Sequence, residues 1–126
     1  ETAPQMGVRL TRLLAGVKKL TFAEVKAGAR HNDVIGYSGG FGTVPEFQIP
    51  YRCLVPARVE NLLAAGRCIS ADFQVADTTR LIPVCWVTGQ AAGVAAALSL
   101  QDKCRVRSVQ VSKLQKALRQ QGVYLG

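Results

Sequence analysis

The sequence predicts a mixed fold, α/β or α+β, on three observations. Residues 81–100, LIPVCWVTGQAAGVAAALSL, hold no charged side chain in 20 positions and carry near their start Pro83, suited to the first turn of a helix. Residues 34–56 are extended in pattern, with glycines at 36, 39, 40 and 42 and prolines at 45, 50 and 56. Two segments, TFAE and SKLQ, carry the residue spacing of helix capping boxes.

Taken in order, LTFAEVKAGAR reads as a short helix. Thr21 and Glu24 each satisfy the other's free backbone N–H, and Gly28 with His31 and Asn32 marks the end. The lone His31 reads as a loop residue. The stretch VIGYSGGFGTVPEFQIPYRCLVP predicts strands joined by a glycine-rich turn and confined by their prolines to sheet edges or ends. Its glycine spacing matches neither G-x-G-x-x-G nor a P-loop.

The apolar run at 62–65, bounded by Asn61 and Gly66, predicts a strand buried on both faces, as in a parallel sheet. SADFQVADTTR reads as a polar connection. A helix then runs from Pro83 to about Ser99, a basic loop follows with a short strand at 106–111, and SKLQKALRQQ forms a last helix. In that helix Ser112 and Gln115 supply the capping spacing, Lys116 and Arg119 suit the negative C-terminal end, and Gly122 lies just beyond it. The narrow Leu114 and Leu118 stripe predicts packing on the domain surface.

Charge and composition bound the function. The 126 residues carry a net charge of +8, which favours phosphate-bearing partners. No block of five or six like charges forms a basic tail. Only 6% of residues are aromatic, and they are dispersed, so base-stacking platforms for single-stranded nucleic acid are missing. Cys53, Cys68, Cys85 and Cys104 lie 15, 17 and 19 apart with no C-x-x-C and a single histidine, which points to no metal site. Apolar surroundings for these thiols indicate a reduced, cytoplasmic protein. ETAPQMG has neither an initiator Met nor the pattern of a signal peptide, and reads as a processed or partial chain.

The uncharged run admits three readings. Its length would span a bilayer, but five alanines, two glycines, Gln90, Thr88 and Ser99 make it weakly apolar. A buried helix is the second reading. Gly89, Ala92, Gly93 and Ala96 give it a smooth face for close approach to a backbone or a flat ligand. The third adds a helix N-terminus whose free N–H groups and partial positive charge meet phosphate or flavin oxygens.

The ordered set IPYR, NLLAAGRCIS, R-L-I-P-V-C and GQAAG, strongest over 49–98, resembles the C-terminal part of FAD-dependent oxidoreductases of the two-dinucleotide-binding-domain group. That group includes the fumarate reductase and succinate dehydrogenase flavoproteins. A looser likeness reaches forward to PQMGVRLTR and on to VSKLQKALRQQGVYL. The resemblance implies a C-terminal fragment of a Rossmann-like FAD-binding domain over 53–126. Residues 1–52 would close the substrate or cap region with a small β-hairpin.

It further implies that Gly66 and Arg67 lie beside the ribitol and pyrophosphate of FAD. Leu81, Ile82 and Val84, at the helix start, would turn toward the flavin's pyrimidine edge, and Arg80 would reach the flavin or an anionic substrate. Gly89, Gln90 and Gly93 would pack beneath the cofactor. No residue is assigned a catalytic role. The G-x-G-x-x-G element that holds the ADP half of FAD in this fold occurs nowhere in the sequence. The implied partners are therefore the N-terminal FAD-binding portion of a parent protein and a small-molecule substrate, with no nucleic acid and no membrane span. The alternatives are a catalytically silent interaction domain and a basic nucleic-acid-binding module.

Overall fold

The structure is a computed structural model that describes residues 9–126. The forward edge of the resemblance, at 4–8, lies outside the described residues. The elements run α1 (Phe22–Lys26), β1 (Val34–Ser38), β2 (Phe47–Pro50), α2 (Phe73–Thr79), α3 (Ile82–Gln101) and α4 (Val111–Gln120). Short 3-10 turns stand at Tyr51–Cys53, Gly66–Cys68 and Val106–Ser108. The chain is thus mixed helix and antiparallel sheet.

The capping box of α1 forms as the sequence predicts. Thr21 Oγ1 accepts from the Glu24 N–H at 3.3 Å, and Glu24 Oε2 accepts from the Thr21 N–H at 3.1 Å. Lys18 adds an ion pair to the same carboxylate at 2.6 Å. Gly28 takes the left-handed conformation just past the helix, at φ +65°.

The extended region also folds as expected, with one difference. β1 and β2 pair antiparallel, Tyr37 opposite Gln48 and Ser38 opposite Phe47, with an irregularity between Val34 and Gly36. Phe41 and Val44 exchange backbone hydrogen bonds at 2.9 and 3.0 Å to close the glycine-rich turn. Rather than exposing one side as an edge strand does, all four β2 residues are buried. Buried Gln48 is satisfied by accepting from the His31 N–H and donating to Tyr37 Oη.

Asp33 anchors the corner between β1 and the Tyr51–Cys53 turn. Its carboxylate accepts from the Arg52 backbone N–H at 3.0 Å, from Nε at 2.9 Å and from Nη2 at 3.1 Å. The side chain of Asp33 is 5% exposed and that of Arg52 47%. Burial alone would raise the Asp33 pKa, but the Arg52 hydrogen bonds and charge outweigh it and hold the carboxyl below its ordinary range. A folded pKa below the unfolded value of about 3.9 means that the contribution is complete above that value and is lost as pH falls through the folded pKa. The stability difference between the protein and Asp33→Asn is therefore expected to be constant from pH 5 to 7 and to shrink below about pH 4. Urea midpoints measured across pH check this; a difference that does not change with pH would refute it.

Residues 62–65 are a correction. They form no strand, and Leu62 is exposed. Extended segments are laced together here by scattered backbone bonds: Leu14 N–H to Cys68, Leu20 N–H to Ser70, Ser70 N–H to Cys53 and Ala64 N–H to Leu54. Ala64 N–H to Leu54 is a lone bond there and does not extend into a ladder. SADFQVADTTR is a second correction, since it contains α2. Asp72 Oδ1 caps that helix by accepting from the Val75 N–H at 2.9 Å, and Oδ2 accepts from the Phe22 N–H at 2.6 Å.

The expected strand at 106–111 is a 3-10 turn followed by the start of α4. The Tyr51 hydroxyl takes the Val106 carbonyl at 2.7 Å, and Arg107 Nη2 takes those of Pro56 and Val59. The Ser112 capping box is also absent. Gln110 is the N-cap and makes no side-chain cap bond, because α4 begins one residue before Ser112. Gln115 Nε2 instead donates to the Asn32 and Val34 carbonyls, each at 3.0 Å, and ties α4 to β1. Leu114 and Leu118 are fully buried, deeper than surface packing requires.

One hydrophobic cluster runs from Leu20 through Ile35, Ile49, Leu54, Ile69 and Val75 to Ala91, Ala95 and Leu118. α3 contributes one face only, formed by Val84, Thr88, Ala91, Ala95 and Ser99. The expected buried helix is therefore half-buried. The smooth Gly89, Gly93 and Ala96 face is open to solvent, and a Cβ at either glycine would touch nothing within 4 Å. The opposition is between two faces of nearly equal polarity, so packing rather than hydrophobic period selects the inner one.

Candidate functional site at the start of α3

The site forms where the Gly66–Cys68 turn meets the first two turns of α3. Ala65 is extended, and Gly66 then adopts φ +78°, a conformation open to glycine at little cost. The Gly66 N–H donates to Thr88 Oγ1 at 2.9 Å, and the Gly66 carbonyl accepts from the Ile69 N–H at 3.2 Å. A Cβ at Gly66 would lie 3.5 Å from Cys85 Sγ, so the turn is seated directly on the helix. Arg67 follows on the exposed side of the turn.

Leu81 is the N-cap of α3. Its N–H donates to the Thr78 carbonyl at 3.1 Å, and its carbonyl accepts the Cys85 N–H at 3.0 Å. Pro at the second helical position removes one donor, and no side chain caps the end. Helix geometry thus leaves the N–H groups of Ile82 and Val84 without intrahelical acceptors. Ile82 is exposed and Val84 is buried. Arg80 terminates α2 directly before this end, its Nε held by Asp77 Oδ1 at 2.7 Å.

Gly66, Leu81, Ile82 and Val84 are therefore brought to one junction, joined by Arg80 at its backbone but with that guanidinium already engaged. Gly89 and Gly93 lie farther along the open side of α3. Gln90 donates to Gln121 Oε1 at 2.8 Å and links α3 to the end of α4. Sequence reasoning missed Thr88 and Cys85 as parts of the junction. The signal for Thr88 was a hydroxyl four residues after an apolar position, in a helix whose inward face holds one other hydroxyl, Ser99.

The model of the FAD dependent oxidoreductase family matches residues 1–118. The chain belongs to the FAD dependent oxidoreductase family. No curated protein and no solved structure matches it. In this FAD dependent oxidoreductase chain the donor chemistry fits a flavin nucleotide. The N–H groups at the uncapped start of a 20-residue helix suit anionic or carbonyl oxygens, and a bare glycine backbone admits close approach.

Two other features of this family member bear on the site. Cys53 is buried, and burial pushes its thiol up to about 12, so it is not a nucleophile at neutral pH. The second is a groove of about 460 Å³ beside the helix start, lined by Tyr37, Pro83, Trp86, Val87, Gln90 and the 121–124 segment.

Proposed function

We infer that this chain is the C-terminal part of a Rossmann-like FAD-binding domain and completes the flavin site of a larger oxidoreductase. Kinship with the two-dinucleotide-binding-domain group, which holds the fumarate reductase and succinate dehydrogenase flavoproteins, accompanies this reading. The observation that carries it is the Gly66 turn seated on the uncapped N-terminal end of α3. Gly66 and Arg67 would hold the ribitol and pyrophosphate, and the Ile82 and Val84 N–H groups would face the pyrimidine edge. Leu81 would fix the helix start, and Arg80 would keep positive charge beside it. When bound, the flavin supplies hydride or electron transfer to and from a small-molecule substrate.

The N-terminal portion of the parent would bring the G-x-G-x-x-G element and cover the open face of α3, where Ile82, Trp86 and Leu100 are 64%, 72% and 80% exposed. α3 is long and apolar enough to cross a membrane by length and composition, with mean hydropathy 1.3. Protein rather than lipid is the proposed neighbour, because its glycines, Gln90 and Thr88 weaken insertion while its other face packs on β1 and α4. A cytoplasmic location accords with four free cysteines.

Arg67→Ala in the full-length parent is expected to lower FAD retention by about tenfold, the loss of one charge-assisted phosphate contact. Flavin absorbance of the purified holoprotein, relative to protein concentration, measures it; full occupancy in the variant would refute the assignment. The 126-residue chain by itself is expected to lose FAD on gel filtration, since the ADP half has no holder. Recovery of one FAD per chain would overturn the reading as a partial site.

A further inference from the structure

We propose that Thr88 is a positioning residue that locks the Gly66–Arg67 turn onto α3 and so sets where that turn meets a flavin. The proposal rests on the flavin reading above for its ligand, and on geometry alone for the lock. Thr88 is fully buried, and its hydroxyl is bonded on two sides. It donates to the Val84 carbonyl at 2.8 Å, four residues earlier in the helix, with the Cys85 carbonyl a longer alternative at 3.2 Å, and accepts the Gly66 N–H at 2.9 Å. The first bond is the ordinary habit of a helical threonine. The second crosses 22 residues and joins separate elements.

The two bonds act in series. The donation to Val84 fixes the rotor, so a lone pair points out of the helix toward the incoming N–H. Gly66, held by its N–H and turned at φ +78°, sends the chain outward at Arg67. Cys85 Sγ fills the remaining side of the turn. Val84 therefore shares one hydroxyl with Gly66, which sets the distance between the helix-end donors and the glycine backbone. A valine at 88 keeps the shape and loses the lock. A serine keeps the lock.

The test uses the isotopically labelled 126-residue chain with Thr88→Val and Thr88→Ser. Amide hydrogen exchange at Gly66 is compared with that at Ala91 and Ala95, farther along the same helix. FAD is then titrated in, followed by the Gly66 and Arg67 amide resonances. Thr88→Val is expected to speed Gly66 exchange by about tenfold relative to the two alanines, and to weaken the FAD-induced shifts by a similar factor. Thr88→Ser is expected to keep both near the parent values. Should Thr88→Val not fold, Thr88→Ala removes the same acceptor and is read in the same way.

Unchanged Gly66 exchange in the valine or alanine variant overturns the proposal. So does a rise shared equally by Ala91 and Ala95, which would make Thr88 a packing residue only. A loosened turn with undiminished FAD shifts overturns the positioning role. If FAD shifts Gly66 in no form, the unsubstituted 126-residue chain included, the flavin reading falls, while the exchange comparison still decides whether Thr88 holds the turn.

Discussion

Leu118→Ala is expected to destabilise the protein by about 2–5 kcal/mol, the cost of a leucine-sized cavity in a core that relaxes only partly. Leu114 and Leu118 are the two fully buried residues of α4, and the rest of that helix is polar or half-buried. Their side chains enter the cluster shared with α3 and β1. The Leu118 carbonyl also accepts the Val123 N–H at 3.0 Å, where the chain turns past Gly122. Leu118→Ala keeps that backbone bond, so its cost is that of the cavity left among the α3, α4 and β1 side chains. Urea unfolding should show a lower midpoint with an unchanged slope. Ser112→Ala is the internal comparison. Because Ser112 lies inside α4 and caps nothing, its loss should stay within about 0.5 kcal/mol. Equal costs at Ser112 and Leu118 would mean that the cap, and not the core, holds α4.

Legibility followed locality. α1 could be read from Thr21 and Glu24, because a capping box is a contract between residues three apart. The hairpin and the start of α3 were similarly written in their prolines and glycines. α2 was hidden because its inward side is Val75, Ala76, Thr78 and Thr79, so half of its buried face is threonine and shows no apolar period. Residues 62–65 misled for the opposite reason: an apolar run states what could be buried, while neighbouring segments decide what is. Ser112 failed by one residue of helix start, and Gln115 was drawn to β1 by carbonyls more than 80 positions away.

The site divided along the same line. Gly66 and Pro83 announce themselves by backbone need, and the structure seats the Gly66 turn against the first two turns of α3. Which face of α3 turns inward was not legible, since alanine lies on both sides. Nor could Thr88 be distinguished from Ser99, another small hydroxyl residue in the same helix. Ser99 only returns a bond to Ala96, whereas Thr88 reaches Gly66.

Gly36→Ala is expected to cost about 1–3 kcal/mol, and the reason is a single side chain. Gly36 stands opposite Ile49 in the sheet, and β1 packs against α3. A Cβ at Gly36 would fall inside the contact radius of Val87 Cγ1. Val87 is β-branched and stiff in a helix, so it cannot swing clear without leaving its rotamer. Relief must come from the sheet or from α3. Val87→Ala should remove the clash, so the double variant should be more stable than the sum of single losses, by about 0.5–3 kcal/mol. Additive losses would show that the strain lies elsewhere. The consequence reaches the site because Val87 is adjacent to Thr88. If α3 is the element that yields, Gly36→Ala should also quicken exchange at the Gly66 amide, and Val87→Ala should slow it again. If β1 yields, stability falls and Gly66 stays protected. The pair of measurements thus separates a fault in the sheet from a displacement of the helix end that bears the open N–H groups.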